Sequence, residues 1–142
     1  MNFVLKQLQS KEDFTAAYPL VCLLRPQLTQ EQYWEYLGEM LFANYFVVGA
    51  YTQDKLIGLA IFVRMTDWLS GKHIWLKGLS VAEAHRSAGC GSALMAFVEE
   101  WARAQGCQMI RLTSNVARHG AHRFYTDKLK FEQSHLGFRK YL

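Results

Sequence analysis

Two glycines and an arginine precede a helical pattern in the middle of the chain. Gly89 and Gly91 lie in the segment EAHRSAGCGSALM, residues 83–95, and Arg86 comes three residues before Gly89. The start of a helix presents unpaired N–H groups and the positive end of the helix dipole, and glycine removes the Cβ atoms that keep an anion away. The spacing therefore indicates a phosphate-binding helix N-terminus, although a plain glycine turn also fits.

Other chemistries are less well supported by the residue pattern. Arg-x-x-Gly-x-Gly is neither GxGxxG nor GxxxxGK[ST], so neither a dinucleotide fingerprint nor a P-loop is indicated. The cysteines Cys22, Cys90 and Cys107 form no CxxC pair, which argues against a metal knuckle or a disulfide framework and fits a reducing compartment. Cys90, at the predicted helix start, is a nucleophile candidate, but that role requires a paired histidine.

Composition restricts the class of protein. The chain has 142 residues, of which 51% are hydrophobic, so we expect a single domain over residues 1–142. The net charge of +4 hints at anionic ligands, but no run of five basic residues marks a nucleic-acid arm. No apolar run reaches signal-peptide or membrane-span length. We expect a cytoplasmic protein with no nucleic-acid or membrane partner, and no metal, because the pair His119 and His122 lacks a third ligand nearby.

Hydrophobic periodicity predicts the elements that position these residues. Helix caps are predicted at Ser10 with Asp13 and at Thr29 with Gln32, and Pro26 separates the two helices. A longer helix is predicted from Gly89 to Gln105. The remaining segments are the strands NFVLKQL, YFVVGAYT, LIGLAIFVRM, HIWLKGLSV, QMIRLTSNV, FEQSH and GFRKYL, and the short helix HGAHRFYTDKL. The order β-α-α-β-β-β-α-β-α-β-β predicts an α/β fold with a mixed, mostly antiparallel sheet and helices on both faces.

Two segments resemble the motifs of one enzyme family. LSVAEAHRSAGCGSALM resembles motif A of the GNAT acetyltransferase superfamily, and AHRFYTDKLKF resembles its Ala-x-x-Phe-Tyr segment at the usual distance. The predicted element order is also similar to the GNAT fold. The resemblance covers nearly the whole chain, although the first 40 residues match only in element type.

The resemblance implies a donor site and a reaction. Acetyl-CoA is the implied cosubstrate, and its acetyl group passes directly to an amine. Tyr125 is the implied general acid that protonates the departing thiolate; its alternative role is packing beside Phe124. The strand before motif A is expected to carry a bulge. The implied acetyl-CoA contacts are Leu79, Val81, Arg86, Ser87, Ala88, Gly89, Gly91, Ser92, Asn115 and Tyr125.

The sequence departs from the family pattern at two places. An acidic residue is common just before the hydrophobic-x-Val triplet, but Lys77 and Gly78 stand there, and the nearest acid, Glu83, fits a solvated charge. The general base therefore stays open. The spacing from Tyr125 to Phe131 is one residue longer than usual, which predicts that the helix end bulges or extends.

A second, narrower resemblance concerns the acceptor of the acetyl group. The C-terminal third is similar to the aminoalkylphosphonate N-acetyltransferase branch, which implies a primary amine on a small, anionic metabolite. The residues proposed to read its charge are Arg118, Arg123 and Arg139. Tyr33, with Trp34 and Tyr36, lies in a segment over the implied acceptor pocket, or simply packs a helix onto the sheet.

Other functions remain open at the level of sequence. One is a non-catalytic acyl-CoA sensor, and another is a protein or peptide N-acetyltransferase. A nucleic-acid-binding domain is suggested by the basic C-terminal part, but the charge is dispersed. The predicted final strand GFRKYL is an exposed-edge candidate through which two copies could pair as a homodimer, and the sequence leaves the oligomeric state open.

Overall fold

The computed structural model describes residues 2–114 and 117–142. Over these residues the chain forms two compact units, Met1–Arg111 and Leu112–Leu142. None of the described helices is both long and apolar enough to cross a bilayer. The elements are β1 (Val4–Gln7), α1 (Lys11–Leu24), α2 (Gln30–Phe42), β2 (Tyr45–Thr52), β3 (Lys55–Asp67), β4 (Gly71–Val81), a 3₁₀ turn (Glu83–His85), α3 (Cys90–Ala104), β5 (Met109–Leu112), α4 (His119–Arg123) and a π-helix (Phe124–Lys128).

The five strands form one sheet in the order β1-β2-β3-β4-β5, and the first three neighbouring pairs are antiparallel. Helices cover both faces because side chains alternate along each strand. Phe46 and Phe62 are cross-strand partners and pack against Trp101 of α3. Val47, one residue along, belongs to a buried cluster with Phe14 of α1. The predicted α/β class, with a mostly antiparallel sheet and helices on both faces, is confirmed.

The first two helices begin with the capping boxes that the sequence predicts. The Ser10 hydroxyl accepts a hydrogen bond from the Asp13 amide at 3.0 Å, and the Asp13 carboxylate accepts one from the Ser10 amide at 3.1 Å. Thr29 and Gln32 repeat the arrangement at the start of α2. Each box satisfies N–H groups that the first helical turn leaves unpaired.

A β-bulge interrupts β4 at Lys77. Ile61 of β3 pairs with Gly78, while the next residue, Phe62, pairs with Leu76, so Lys77 has no partner in the ladder. A bulge bends its strand and re-aims the side chain of the extra residue. The bulge implied by the family resemblance is therefore present in this strand.

The C-terminal part corrects the predicted element order. Residues 131–142 form no strand, so the predicted strands FEQSH and GFRKYL are wrong. Alternating side chains specify a strand only where one face is buried, and residues 132–142 are all exposed. GFRKYL is consequently not an edge strand, so a homodimer that pairs through this edge has no basis in the structure. The predicted strand QMIRLTSNV is regular only over Met109–Leu112.

Candidate active site

The loop between β4 and α3 contains two residues in the left-handed backbone region. Ser87 has a φ of +67° and Gly89 a φ of +87°. A side chain in this region is strained, so Ser87 indicates a loop whose conformation is imposed by its surroundings. Left-handed residues in such loops can turn successive N–H groups into one concavity, which is a known anion-binding arrangement.

The start of α3 differs from the starts of α1 and α2. Its N-cap residue is Gly89, which has no side chain to accept a hydrogen bond from the first-turn amides. A Cβ added to Gly89 would meet no described atom within 4 Å. The space beside Gly89, at the positive end of the helix dipole, is therefore open, an arrangement that fits a phosphate. Gly91 and Ser92 belong to this first turn.

Arg86 connects the loop to the end of β4. Its Nε donates a hydrogen bond of 3.3 Å to the Val81 carbonyl, which leaves the terminal guanidinium nitrogens able to bind an anion. Leu79 and Val81 pair with Ala60 and Gly58 of β3 at this end of the strand. The structure thus brings the sequence-predicted residues from Leu79 to Ser92 into one strand-loop-helix segment. Asn115 lies outside the described residues.

Cys90 is a packing residue in this segment. It is 2% exposed, and a Cβ added to Gly58 would lie 2.7 Å from its Sγ atom. Burial raises the pKa of the Cys90 thiol. A buried thiol with a raised pKa is a poor nucleophile at neutral pH, so the cysteine-nucleophile alternative loses support.

Tyr125 lies in the second unit, within the π-helix. Its half-buried ring packs against Phe124 and Phe131, with ring centroids 5.7 Å and 5.9 Å away. Burial raises the pKa of the Tyr125 phenol, and the charge of Arg118 opposes part of that shift. The phenol is consequently protonated at neutral pH, as a proton donor must be.

The π-helix explains the extra residue between Tyr125 and Phe131. The wide turn is closed by the Leu129 amide, which donates to the Phe124 carbonyl at 3.0 Å, five residues back. Inserted residues are commonly absorbed as a π-bulge, often at functional sites. Lys130 follows with a φ of +61°, the conformation for which glycine is preferred. The prediction that the helix end bulges is confirmed.

The basic residues suggested for the acceptor are exposed in the second unit. Arg118 is the N-cap of α4, and Arg123 is its last residue. Arg139 stacks over the ring of Tyr141, 5.2 Å from its centroid.

A cleft of ≈ 240 Å³ lies in the first unit, between α1, α2 and strands β2 to β4. Tyr33 and Tyr36 both line it. The Tyr33 hydroxyl donates to the Phe14 carbonyl at 2.6 Å, and burial raises its pKa to about 12. Trp34 packs edge-on against Tyr33. Tyr33 therefore contributes its ring to the cleft, while its hydroxyl holds α2 to α1.

Two cations that sequence reasoning did not select line the same cleft. They are Arg25, after the end of α1, and Lys77, on the bulge. The sequence showed Lys77 only as a departure from the family pattern, and nothing in its spacing marked Arg25. A Cβ added to Gly78 would lie 2.6 Å from Cδ1 of Leu24, so an acidic side chain at residue 78 would displace Leu24.

Sequence comparisons agree with this architecture. The model of the Acetyltransferase (GNAT) family matches residues 10–131. The chain is 33% identical over 137 residues to the uncharacterized N-acetyltransferase YhdJ of Bacillus subtilis, covering 96% of each protein. It is 28% identical to the aminoalkylphosphonate N-acetyltransferase of Salmonella typhimurium, covering 92% of this chain and 86% of that protein.

A solved structure shows the same fold. The aminoglycoside N-acetyltransferase AAC(6')-Iy in complex with CoA superposes with a TM-score of 0.87 at 20% identity, covering 98% of this chain and 95% of that one. The long match to the family model, together with a relative above 30% identity over nearly the whole length, assigns the family. The chain belongs to the GNAT acetyltransferase family and is an acetyl-CoA-dependent N-acetyltransferase.

Proposed function

We propose that this enzyme transfers the acetyl group of acetyl-CoA directly to the primary amine of a small, anionic metabolite, with Tyr125 as general acid. The observation that carries the donor side is the uncapped start of α3 at Gly89, directly after a bulged strand. An anionic acceptor is supported by the name of the Salmonella relative, whose acceptor is an aminoalkylphosphonate, and by the cations Arg25 and Lys77 in the cleft.

The donor is bound chiefly by backbone groups in this proposal. The amides from Ser87 to Ser92 hold the pyrophosphate, and the guanidinium of Arg86 adds a fixed positive charge beside them. The backbone of Leu79 and Val81 binds the pantetheine arm. The Val81 carbonyl retains a lone pair for another donor because Arg86 uses only one.

The transfer forms a C–N bond and breaks the C–S bond of the thioester. The amine attacks with its lone pair, and the electrons of the C–S bond pass to sulfur. The Tyr125 hydroxyl donates its proton to that sulfur, so coenzyme A leaves as the thiol. The nitrogen becomes positively charged on attack and loses its extra proton to water as the amide forms, and the Tyr125 phenolate takes a proton back from water. A raised pKa keeps the phenol protonated until this step.

The amine must lose its proton before it attacks. No acidic residue is among the described residues that line the cleft, and Leu24 occupies the space beside Gly78. We infer that the proton leaves through water.

The direct test is the release of free thiol from acetyl-CoA in the presence of amines, including aminoalkylphosphonates, amino acids, polyamines, aminoglycosides and N-terminal peptides. Rapid release with a small anionic amine, strongly reduced in Tyr125→Phe, is expected. Coenzyme A binding without turnover of any amine would favour the acyl-CoA sensor. Turnover of peptides alone would favour a protein acetyltransferase. The size of the cleft argues against that outcome, because ≈ 240 Å³ is below the roughly 300–1,000 Å³ of typical ligand sites.

A further inference from the structure

We infer that the cleft between α1, α2 and the sheet accepts an amine with an apolar body and an oxyanion, and that Arg25 and Lys77 select the oxyanion. This inference rests on the proposed function because it names the acceptor class of the same enzyme. It differs from the expectation based on sequence, in which Arg118, Arg123 and Arg139 read the charge. Polyamines and aminoglycosides, which carry several cations, are disfavoured.

The walls of the cleft select an apolar body. They are formed mainly by aliphatic and aromatic side chains, among them Val21, Leu37, Met40, Val47 and Ile61. A purely polar acceptor would lose hydration there without gaining hydrogen bonds. An aliphatic or aromatic group of a few carbons would instead gain by leaving water. The ≈ 240 Å³ of the cleft limits the acceptor to a small molecule.

Among the described residues that line the cleft, the charged ones are Arg25 and Lys77, and both are cations. Arg25 and Lys77 are exposed residues, and neither takes part in any of the ion pairs found in the described structure. Two cations without carboxylate partners beside an apolar cleft complement an anion and repel a cation. Since both guanidinium and ammonium groups bind carboxylates and phosphonates, the shared chemistry is an oxyanion.

Lys77 is positioned by its neighbours in the strand. The bulge removes Lys77 from the ladder, and its Nζ lies 4.7 Å from the centroid of the Trp75 ring. The guanidinium of Arg111 lies 4.4 Å from the centroid of the same ring. A cation held over an aromatic face loses less side-chain freedom when it binds an anion. Of the two cations, Lys77 is therefore the stronger candidate for binding the oxyanion of the acceptor.

The test compares four acceptors that differ in one feature each. Leucine carries the carboxylate, its α-aminophosphonate analogue carries a phosphonate, isopentylamine carries neither, and glycine lacks the apolar body. We expect leucine or the phosphonate, or both, to exceed isopentylamine about tenfold in kcat/KM, the order expected for one charge-assisted hydrogen bond. Glycine should be poorer than leucine.

Substitutions then assign the effect to named side chains. Lys77→Met and Arg25→Met should each raise the KM for leucine several-fold, with kcat and the kinetics of isopentylamine little changed. Lys77→Arg should restore the KM, and Lys77→Glu should reverse the preference in favour of isopentylamine. The matched control is Lys72→Met, which removes an exposed lysine from the same strand that does not line the cleft. Melting temperatures establish that each variant folds.

The outcomes separate this inference from the function on which it rests. If neither leucine nor its phosphonate analogue exceeds isopentylamine, or if Lys77→Met reduces the use of the preferred oxyanion-bearing amine and of isopentylamine equally, the charge assignment is overturned and N-acetyl transfer is left intact. If no amine releases thiol, the proposed function fails. Calorimetry of leucine binding with saturating coenzyme A then decides the inference, because binding that weakens in Lys77→Met supports it and absent binding overturns it.

Discussion

The Sγ atom of Cys90 occupies the space that a side chain at Gly58 would need. A Cβ at residue 58 would lie 2.7 Å from Sγ and 3.2 Å from the Ser80 carbonyl. This contact seats the start of α3 directly on β3, so the position of the turn proposed to bind phosphate depends on the absence of a side chain at Gly58.

Gly58→Ala is expected to destabilise the protein by about 1–3 kcal/mol, because the added methyl overpacks a buried site. Chemical denaturation measures the free energy of unfolding. Cys90→Ala alone should cost less, and the double variant should recover part of the loss by making room for the methyl. Strict additivity of the two changes would show that the contact is unimportant.

Cys90 is not expected to carry the acetyl group. Incubation with acetyl-CoA without an acceptor should add no acetyl mass to Cys90 in intact-protein and peptide mass spectrometry, because the thiol is buried and its pKa is raised. Stoichiometric acetylation of Cys90, released on addition of an amine, would instead establish a two-step mechanism.

Gly89→Val should weaken acetyl-CoA binding roughly tenfold or more, the loss expected when bonds to a charged group are broken. Gly106→Val is the matched control, since Gly106 also has a positive φ, +75°, with no described atom within 4 Å of an added Cβ. Both variants should lose about 1–2 kcal/mol of stability from strain. Only Gly89→Val should affect titration of coenzyme A by calorimetry, because Gly106 lies beyond the other end of α3. Equal affinities for the two variants would refute the phosphate-binding role.

Tyr125→Phe is expected to lower kcat about 100-fold or more without a comparable change in the KM for acetyl-CoA. The acid is active when protonated, and burial raises the pKa of this phenol above its ordinary value of 10.0. In the wild type, the midpoint of the activity loss due to this group should therefore lie above pH 10. That alkaline limb should be absent in the variant. A wild-type limb near pH 8 would point to another donor.

Asp13→Asn should weaken the capping box of α1 and lower stability at pH 7 by about 1 kcal/mol or less. The Gln9 and Ser10 amides donate to the Asp13 carboxylate and lower its pKa below 3.8. A lowered pKa stabilises the folded state above pH 3.8, and that contribution disappears as pH falls through the lower folded-state value. Melting curves of variant and wild type should converge in that range. Glu12→Gln, in the same turn, is the matched control and should lower stability at pH 7 less, because none of the described capping hydrogen bonds involves Glu12.

Much of the fold could be predicted because helix caps and helix breaks depend on residues that are close together in the sequence. Ser10 and Thr29 mark helix starts through bonds to residues three positions away, and Pro26 marks the break between the helices. The final strands could not be predicted, because alternation alone does not provide the buried face and the ladder partner that a strand requires.

The sequence by itself determined the family, the order of elements through β5, and the glycine-bearing turn that begins α3, because each depends on residue types at short spacing. Only the tertiary structure decided which charges meet in the cleft. Arg25 and Lys77 are 52 positions apart in the sequence. Arg25 follows the C-terminal end of α1 and Lys77 lies on the bulge of β4, and both line the same cleft. Spacing along the chain does not encode such a meeting, because it depends on how helices pack on the sheet.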